Sequence, residues 1–300
     1  MRPNMAEAQG QEITQELGFG DVVSRTFSLF QRNFVKYFIP FAVVELIIGI
    51  ATTFARDAIV IPSSSSIAAS TDVASTLASL FTSIFELVIV IGIVSIVLTP
   101  IAIGTAIKIT ADEIEKGQAD LMASVRYAAS KFLWVLIVGF LLGIIVFVGF
   151  LAVLIPGIIL GIMFCLAIPV TVIEGPGILE SFSRSRELVS HRWLKTFALA
   201  IVFGIIIVIA SGIADLIGVL FGPASSIVTG VLSAFYTPLV PIALTVYFYS
   251  NRARTSPPVT GVAVMTPGTP VTGSRFCPNC GAPLGFEAKF CPNCGTSLTT

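Results

Sequence analysis

Residues 132–173, FLWVLIVGFLLGIIVFVGFLAVLIPGIILGIMFCLAIPVTVI, run for 42 positions without an Asp, Glu, Lys, Arg or His. A helix rising 1.5 Å per residue crosses the roughly 30 Å hydrocarbon layer with about 20 residues, so this stretch is long enough for two crossings. Pro156 and Gly157 stand near its centre, and the pair reads as a tight turn between antiparallel spans. The rest of the chain agrees. Hydrophobic residues make up 55% and charged residues 11% of the 300, under half of the soluble norm of about 25% charged. Such a chain has too few charges to solvate its own surface, and the expected class is an all-α integral membrane protein.

Outward from this hairpin, apolar runs predict six spans at 37–54, 84–107, 132–155, 157–173, 196–217 and 227–249. Lysine and arginine then set the orientation. Arg2, Arg25, Arg32 and Lys36 precede the first span, and Lys108, Lys116, Arg126 and Lys131 lie between the second and third. Arg184, Arg186, Arg192 and Lys195 lie between the fourth and fifth, and Arg252, Arg254, Arg275 and Lys289 follow the last. Of the 17 bases only Arg56 falls on the other side, which predicts a cell-membrane protein with both termini in the cytoplasm. The tail 1–18 is polar and acidic without an apolar run, so no cleavable signal is expected.

Between spans the sequence repeats a pattern. Phe19, Val23, Phe27, Phe30, Phe34 and Tyr37 recur at helical spacing beside Asp21, Arg25, Arg32 and Lys36. Ile178, Phe182, Ser185, Val189 and Trp193 do the same beside Glu180, Arg184, Arg186 and Arg192, and Leu121, Val125, Ala128 and Phe132 more weakly beside Asp120, Arg126 and Lys131. Each stretch opens near an acid, as the helix dipole favours, and leads through bases into a span. Three units, each an interfacial amphipathic helix plus a hairpin lying in a lipid bilayer, are therefore expected within a membrane domain at 19–254. The outer loop 55–82 is rich in Ser and Ala.

After a charge-free Pro, Thr, Gly and Ser segment at 255–274, the chain closes with a doubled pentapeptide, Cys277-Pro-Asn-Cys280-Gly and Cys291-Pro-Asn-Cys294-Gly. The linker is too poor in apolar surface to fold, and as a coil of about 20 residues it spans roughly 25 Å. Two CxxC knuckles predict that Cys277, Cys280, Cys291 and Cys294 hold one structural Zn2+ tetrahedrally, with no open position for catalysis. Thiolates free to bind zinc suit a reducing compartment, which agrees with the charge count. With Arg275 and Lys289 as its only bases against Glu287, the ribbon at 275–300 suits a protein partner; no nucleic acid is expected.

Two stretches carry a resemblance. Glu174-Gly175, Gly177, Ser181-Phe182-Ser183-Arg184-Ser185-Arg186-Glu187-Leu188-Val189 and Arg192-Trp193, with Tyr247-Phe248-Tyr249-Ser250-Asn251-Arg252-Ala253-Arg254, resemble the glycerophosphoryl diester phosphodiesterase membrane-domain family over about residues 19–254. In members with the phosphodiesterase, catalysis belongs to a separate barrel of about 250 residues, for which this chain has no counterpart. The resemblance therefore implies a helical membrane domain and no reaction. Residues 275–298 resemble the short zinc-ribbon domain of prokaryotic protein termini.

The intramembrane acids Glu45, Glu86 and Asp215 are candidates for function, since a carboxylate in hydrocarbon is costly. Glu45 lies near the middle of its span; Glu86 and Asp215 lie toward outer ends, with Arg56 a partner for Glu86. Either a transport role or a hydrogen-bonded packing role fits Glu45. Gly139/Gly143, Gly157/Gly161 and Gly218/Gly222 have GxxxG spacing, which suits close helix packing within the chain or in a homo-oligomer. Pro100, Pro169, Pro238 and Pro241 can kink spans. Cys165 reads as a small packing residue, and His191, the sole histidine, has no evident catalytic partner. The expected function is non-enzymatic, with partner recruitment or membrane-complex organisation through the ribbon, and the alternative is transport of ions, small solutes or lipids.

Overall fold

Val153 is the hinge on which the 42-residue apolar run folds back. In the computed structural model, which describes residues 13–58, 73–255, 275–276 and 283–284, its backbone is extended at φ −166 and ψ 152 between α5 (Phe132–Ala152) and α6 (Leu154–Phe164). The turn thus falls three residues before Pro156, not at Pro156-Gly157. Pro156 occupies the first turn of α6, where no amide donor is needed. Gly157 serves the hairpin differently: a Cβ added to it would stand 2.8 Å from Phe150 N, and one on Gly149 would stand 2.8 Å from Gly157 Cα. The limbs approach to a distance that only glycine permits.

The chain forms two compact units, Met1–Ser256 and Pro257–Thr300. In the described part of the first, every regular element is helical. It begins with α1 (Phe19–Arg32), α2 (Phe34–Ala58), α3 (Val73–Lys116) and α4 (Leu121–Ser130), followed by α5 and α6. Then come α7 (Ala167–Ile173), α8 (Ile178–Val189), α9 (Trp193–Val219), a 3-10 turn at Gly222–Ala224, α10 (Ser225–Ser233) and α11 (Leu239–Thr255). Five segments are long and apolar enough to cross a bilayer: Phe34–Phe54, Ile84–Lys116, Phe132–Ala152, Leu154–Ile173 and Trp193–Val219. These suggest a membrane protein.

The sixth expected span, 227–249, is not one helix. It divides into α10 and α11 across turns at 234–238, beside Pro238 and Pro241, which supply no amide hydrogen. The 9 residues of α10 extend only about 14 Å. The second expected span, by contrast, overruns its limit at 107. Helix α3 continues for 44 residues through Pro100 to Lys116, so Lys108 and Lys116 lie on a helix and not in a connecting loop.

Three amphipathic helices each precede a helical pair: α1 before α2 and α3, α4 before α5 and α6, α8 before α9 and α10. The caps of α1 and α8 match closely, Gly18 at φ −62, ψ 164 and Gly177 at φ −61, ψ 165. An acid follows three residues on in both, and Asp21 accepts from Gly18 N at 3.1 Å. Asp120 caps α4, accepting from Ala123 N at 2.6 Å. The face of α1 is rotated from the expected phenylalanine stripe. Val22, Thr26 and Leu29 are buried, while Phe27 and Phe30 are only partly so. Small Thr26, its hydroxyl donating to Val22 O, lets α1 lie close to α11.

Burial is concentrated around α11, whose residues Val246 to Asn251 are all enclosed. Large apolar side chains on the long helices face outward instead, among them Phe147 at 63% and Val208 at 69% exposure. Buried polar residues such as Asp112, Glu113 and Thr196 occupy the ends of helices that carry the bases. An apolar outside with a polar, internally bonded end is the arrangement a bilayer selects. In the second unit, strands β1 (Arg275–Phe276) and β2 (Pro283–Leu284) pair antiparallel, Arg275 with Leu284 and Phe276 with Pro283.

Candidate functional site

The candidate metal centre lies in the second unit. The cysteines Cys277, Cys280, Cys291 and Cys294 fall outside the described residues, but the β1–β2 pairing brackets positions 277–282, the whole of the first CPNCG. A CxxC has the spacing that turns two thiolates toward one ion, and the sequence carries two of them ten residues apart. The donor set of four cysteines fits Zn2+ and leaves it saturated, so the ion would supply folding energy and no open Lewis-acid position.

The intramembrane acids are only partly brought together. Glu45 is half-buried on α2, where α2 crosses α10. A Cβ on Gly230 would stand 2.9 Å from Glu45 O, and one on Gly49 would stand 2.9 Å from Ile227 Cα. Glycines on both helices therefore set this crossing. The Ser233 hydroxyl, on α10, donates to Gly230 O at 2.7 Å, and both Glu45 and Asp215 lie within electrostatic reach of the Tyr236 hydroxyl. Asp215 itself is exposed on α9, as is Glu86 on α3. Nothing among the described residues joins Glu86 to the other two, and the side chain of Arg56 lies outside the described residues.

A second polar centre, at the end of α3, was not anticipated. Glu113 has a side chain only 3% exposed and accepts from Arg32 Nη2 at 2.8 Å and Lys36 Nζ at 3.1 Å. Its neighbour Asp112 accepts from Lys108 and Lys116. Glu115 takes the hydroxyl of Tyr249 at 2.6 Å, and Tyr37 shares a 3.0 Å bond with Thr110. Glu113 and Glu115 thus join α1, α2 and α11 to α3, while Asp112 is held by bases of α3 itself. The signal was present as three acids at 112, 113 and 115 between Lys108 and Lys116, a pattern readable as a solvated loop.

A third set joins the N-terminal segment to the start of α9. Glu16 receives Arg192 and Lys195, and Leu17 N donates to Ser250 Oγ at 2.9 Å. Arg192 beside Glu16 holds its carboxyl down at about 2, with Lys195 adding to the effect against the opposing pull of burial. Next to this knot, His191 adopts φ 63, the only non-glycine with positive φ among the described residues. Its Nδ1 lies 2.8 Å from Ser190 Oγ.

Cys165, expected as a packing residue, is half-buried and lines an apolar groove.

Comparison with known proteins shows one similarity. Residues 276–298 match a zinc-ribbon domain, a 23-residue portion that makes zinc binding the expected property of the C-terminus. No curated protein matches the chain. No solved structure matches it either. The resemblance of residues 19–254 to the phosphodiesterase-associated membrane family finds no support in these comparisons.

Proposed function

We propose that this chain is a non-enzymatic multi-pass membrane protein that presents a zinc ribbon to a protein partner, thereby recruiting it or organising a membrane complex. The observation that carries the reading is the joining of a zinc-ribbon match at 276–298 to a chain with five membrane-length apolar helices. Four thiolates make a closed coordination shell, so the ribbon's chemistry is that of a rigid surface. In the six-span topology expected from the sequence 16 of the 17 bases fall on one side together with both termini, which supports a cytoplasmic ribbon. Lipid surrounds the helices.

The test is affinity purification of the intact protein beside the Cys277→Ser/Cys280→Ser variant, from matched detergent extracts. A protein retained at constant stoichiometry by the intact chain and lost from the variant is expected. Identical sets of bound proteins would remove the recruitment role.

The second reading is transport through the helical bundle, favoured by the half-buried Glu45 at the close crossing of α2 and α10. An acid held at membrane depth suits a proton or cation relay. Proteoliposome flux abolished by Glu45→Gln is the expected result, and undiminished flux would exclude Glu45 from such a path.

A further inference from the structure

We propose that the groove between α6 and α9 binds one anionic phospholipid, with its phosphate at the Arg186–His191 end and an acyl chain along the apolar track. Two adjoining cavities make the groove. The first, about 330 Å³, is rimmed by Arg186, Ser190, His191 and Trp193 over a floor that includes Ile162 and Met163. The second, about 670 Å³, shares Ile162 and follows α9 from Thr196 to Val208 between walls that are almost wholly apolar. Those residues of α9 extend about 18 Å, close to the half-thickness of a roughly 30 Å hydrocarbon core. A polar mouth leading into an apolar track of one-leaflet length has the shape and polarity of a phospholipid.

Charge selects the headgroup. No carboxylate lines the first cavity. Arg184 is engaged by Glu174 and Glu187, and Arg192 and Lys195 by Glu16. Arg186 is exposed at the rim and has no acidic partner among the described residues. The carbonyls that end α8 would repel an anion, but Arg254 Nη2 occupies two of them, donating to Leu188 O at 3.0 Å and to Ser190 O at 3.2 Å. The positive end of α9 begins, without a side-chain cap, at Trp193 on the rim of the same mouth. Trp193, 55% exposed, is the amphipathic ring expected at headgroup level. A guanidinium and a helix start on a mouth free of acid favour a net-negative headgroup over a zwitterionic one.

The test uses the purified full chain in detergent, titrated separately with phosphatidylglycerol, phosphatidylcholine and inorganic phosphate, with retained ligand read by native mass spectrometry. One phosphatidylglycerol per chain should survive activation that strips phosphatidylcholine. Arg186→Gln should weaken retention about tenfold, as loss of a charge-assisted phosphate contact does. Arg126→Gln, an exposed base on another amphipathic helix, should match the unmodified chain. A Cβ on Gly204 meets nothing within 4 Å, so Gly204→Leu should fold, fill the track and abolish lipid retention. Equal loss on Arg126→Gln, or equal retention of phosphatidylcholine, would overturn the proposal. So would full displacement of the lipid by inorganic phosphate with Gly204→Leu binding unchanged, because that identifies a free-anion site.

Discussion

Arg192 clasps Glu16 with two parallel hydrogen bonds, Nε to Oε1 at 2.7 Å and Nη2 to Oε2 at 2.9 Å, across 176 residues of chain. Lys195 adds a third contact to Oε1 at 3.0 Å and also donates to Leu17 O. The segment before α1 is thereby tied to the start of α9, beside the mouth of the lipid groove.

This clasp makes stability depend on pH in a stated direction. Glu16 falls from 4.5 to about 2, chiefly through the Arg192 hydrogen bonds. A carboxylate with a lowered folded-state value stabilises the fold above its unfolded value, and that contribution fades as pH falls from about 5 toward 2. Because the Arg192 side chain is 39% exposed, solvent screening reduces the gain to about 1 kcal/mol. Glu16→Gln should lower the unfolding midpoint of the solubilised protein at pH 7. The difference should close near pH 2, and a constant difference across that range would exclude the carboxylate as its source.

Glu113 should matter more. With 3% of its side chain exposed and two bases upon it, Glu113→Gln leaves Arg32 and Lys36 without their shared anion and should cost about 3 kcal/mol. Lys36→Met should cost less, since Arg32 remains in place. Denaturant titration of the two variants gives the order, and equal losses would show that Glu113 acts through packing alone.

Composition made the membrane class legible, because a 42-residue run without an Asp, Glu, Lys, Arg or His is hard to fold in water. The three amphipathic helices were also visible, from acid at the start, base at the end and apolar spacing between. Tertiary detail was hidden where the same residue types permit two environments. Asp112, Glu113 and Glu115 read as a polar connection because hydropathy counts charge and not its partner, and Arg32 lies 81 positions from Glu113. The last span failed because an apolar run of sufficient length says nothing of continuity, and two prolines near its centre allowed the turn at 234–238. The lipid groove left no local sign, since its rim and track come from separate helices.

The glycines show the same limit and yield a sharp contrast. GxxxG spacing found Gly157 and Gly218, where an added Cβ would collide with Phe150 and Thr229, but it also pointed to Gly139 and Gly143, where a Cβ meets only Ile168 at 3.9 Å or nothing within 4 Å. A further close crossing, between α2 and α10, rests on Gly49 against Ile227 and Gly230 against Glu45, where spacing within one helix gives no signal. Gly49→Ala puts a methyl 2.9 Å from backbone and should destabilise by about 1 to 3 kcal/mol. Gly143→Ala should be neutral or stabilise by up to about 1 kcal/mol through helix propensity. Denaturant midpoints for both variants decide the matter, and a reversed order would contradict the α2–α10 crossing.

Zinc removal should separate the two units. A four-cysteine site contributes about 10 to 16 kcal/mol of apparent binding energy in small zinc modules, so the ribbon's fold should depend on the metal. The helical unit, Met1–Ser256, has its own buried centre around α11 and needs none. The intact protein should carry one zinc per chain by elemental analysis, and Cys277→Ser/Cys280→Ser should carry none. A strong chelator should release the metal and expose the thiols to alkylation while leaving the helical thermal transition unchanged. The chain cut after Ser256 should melt at the same temperature as the intact protein. A helical midpoint that drops with either treatment would mean that the bundle draws stability from the ribbon, and the separation into independent units would fail.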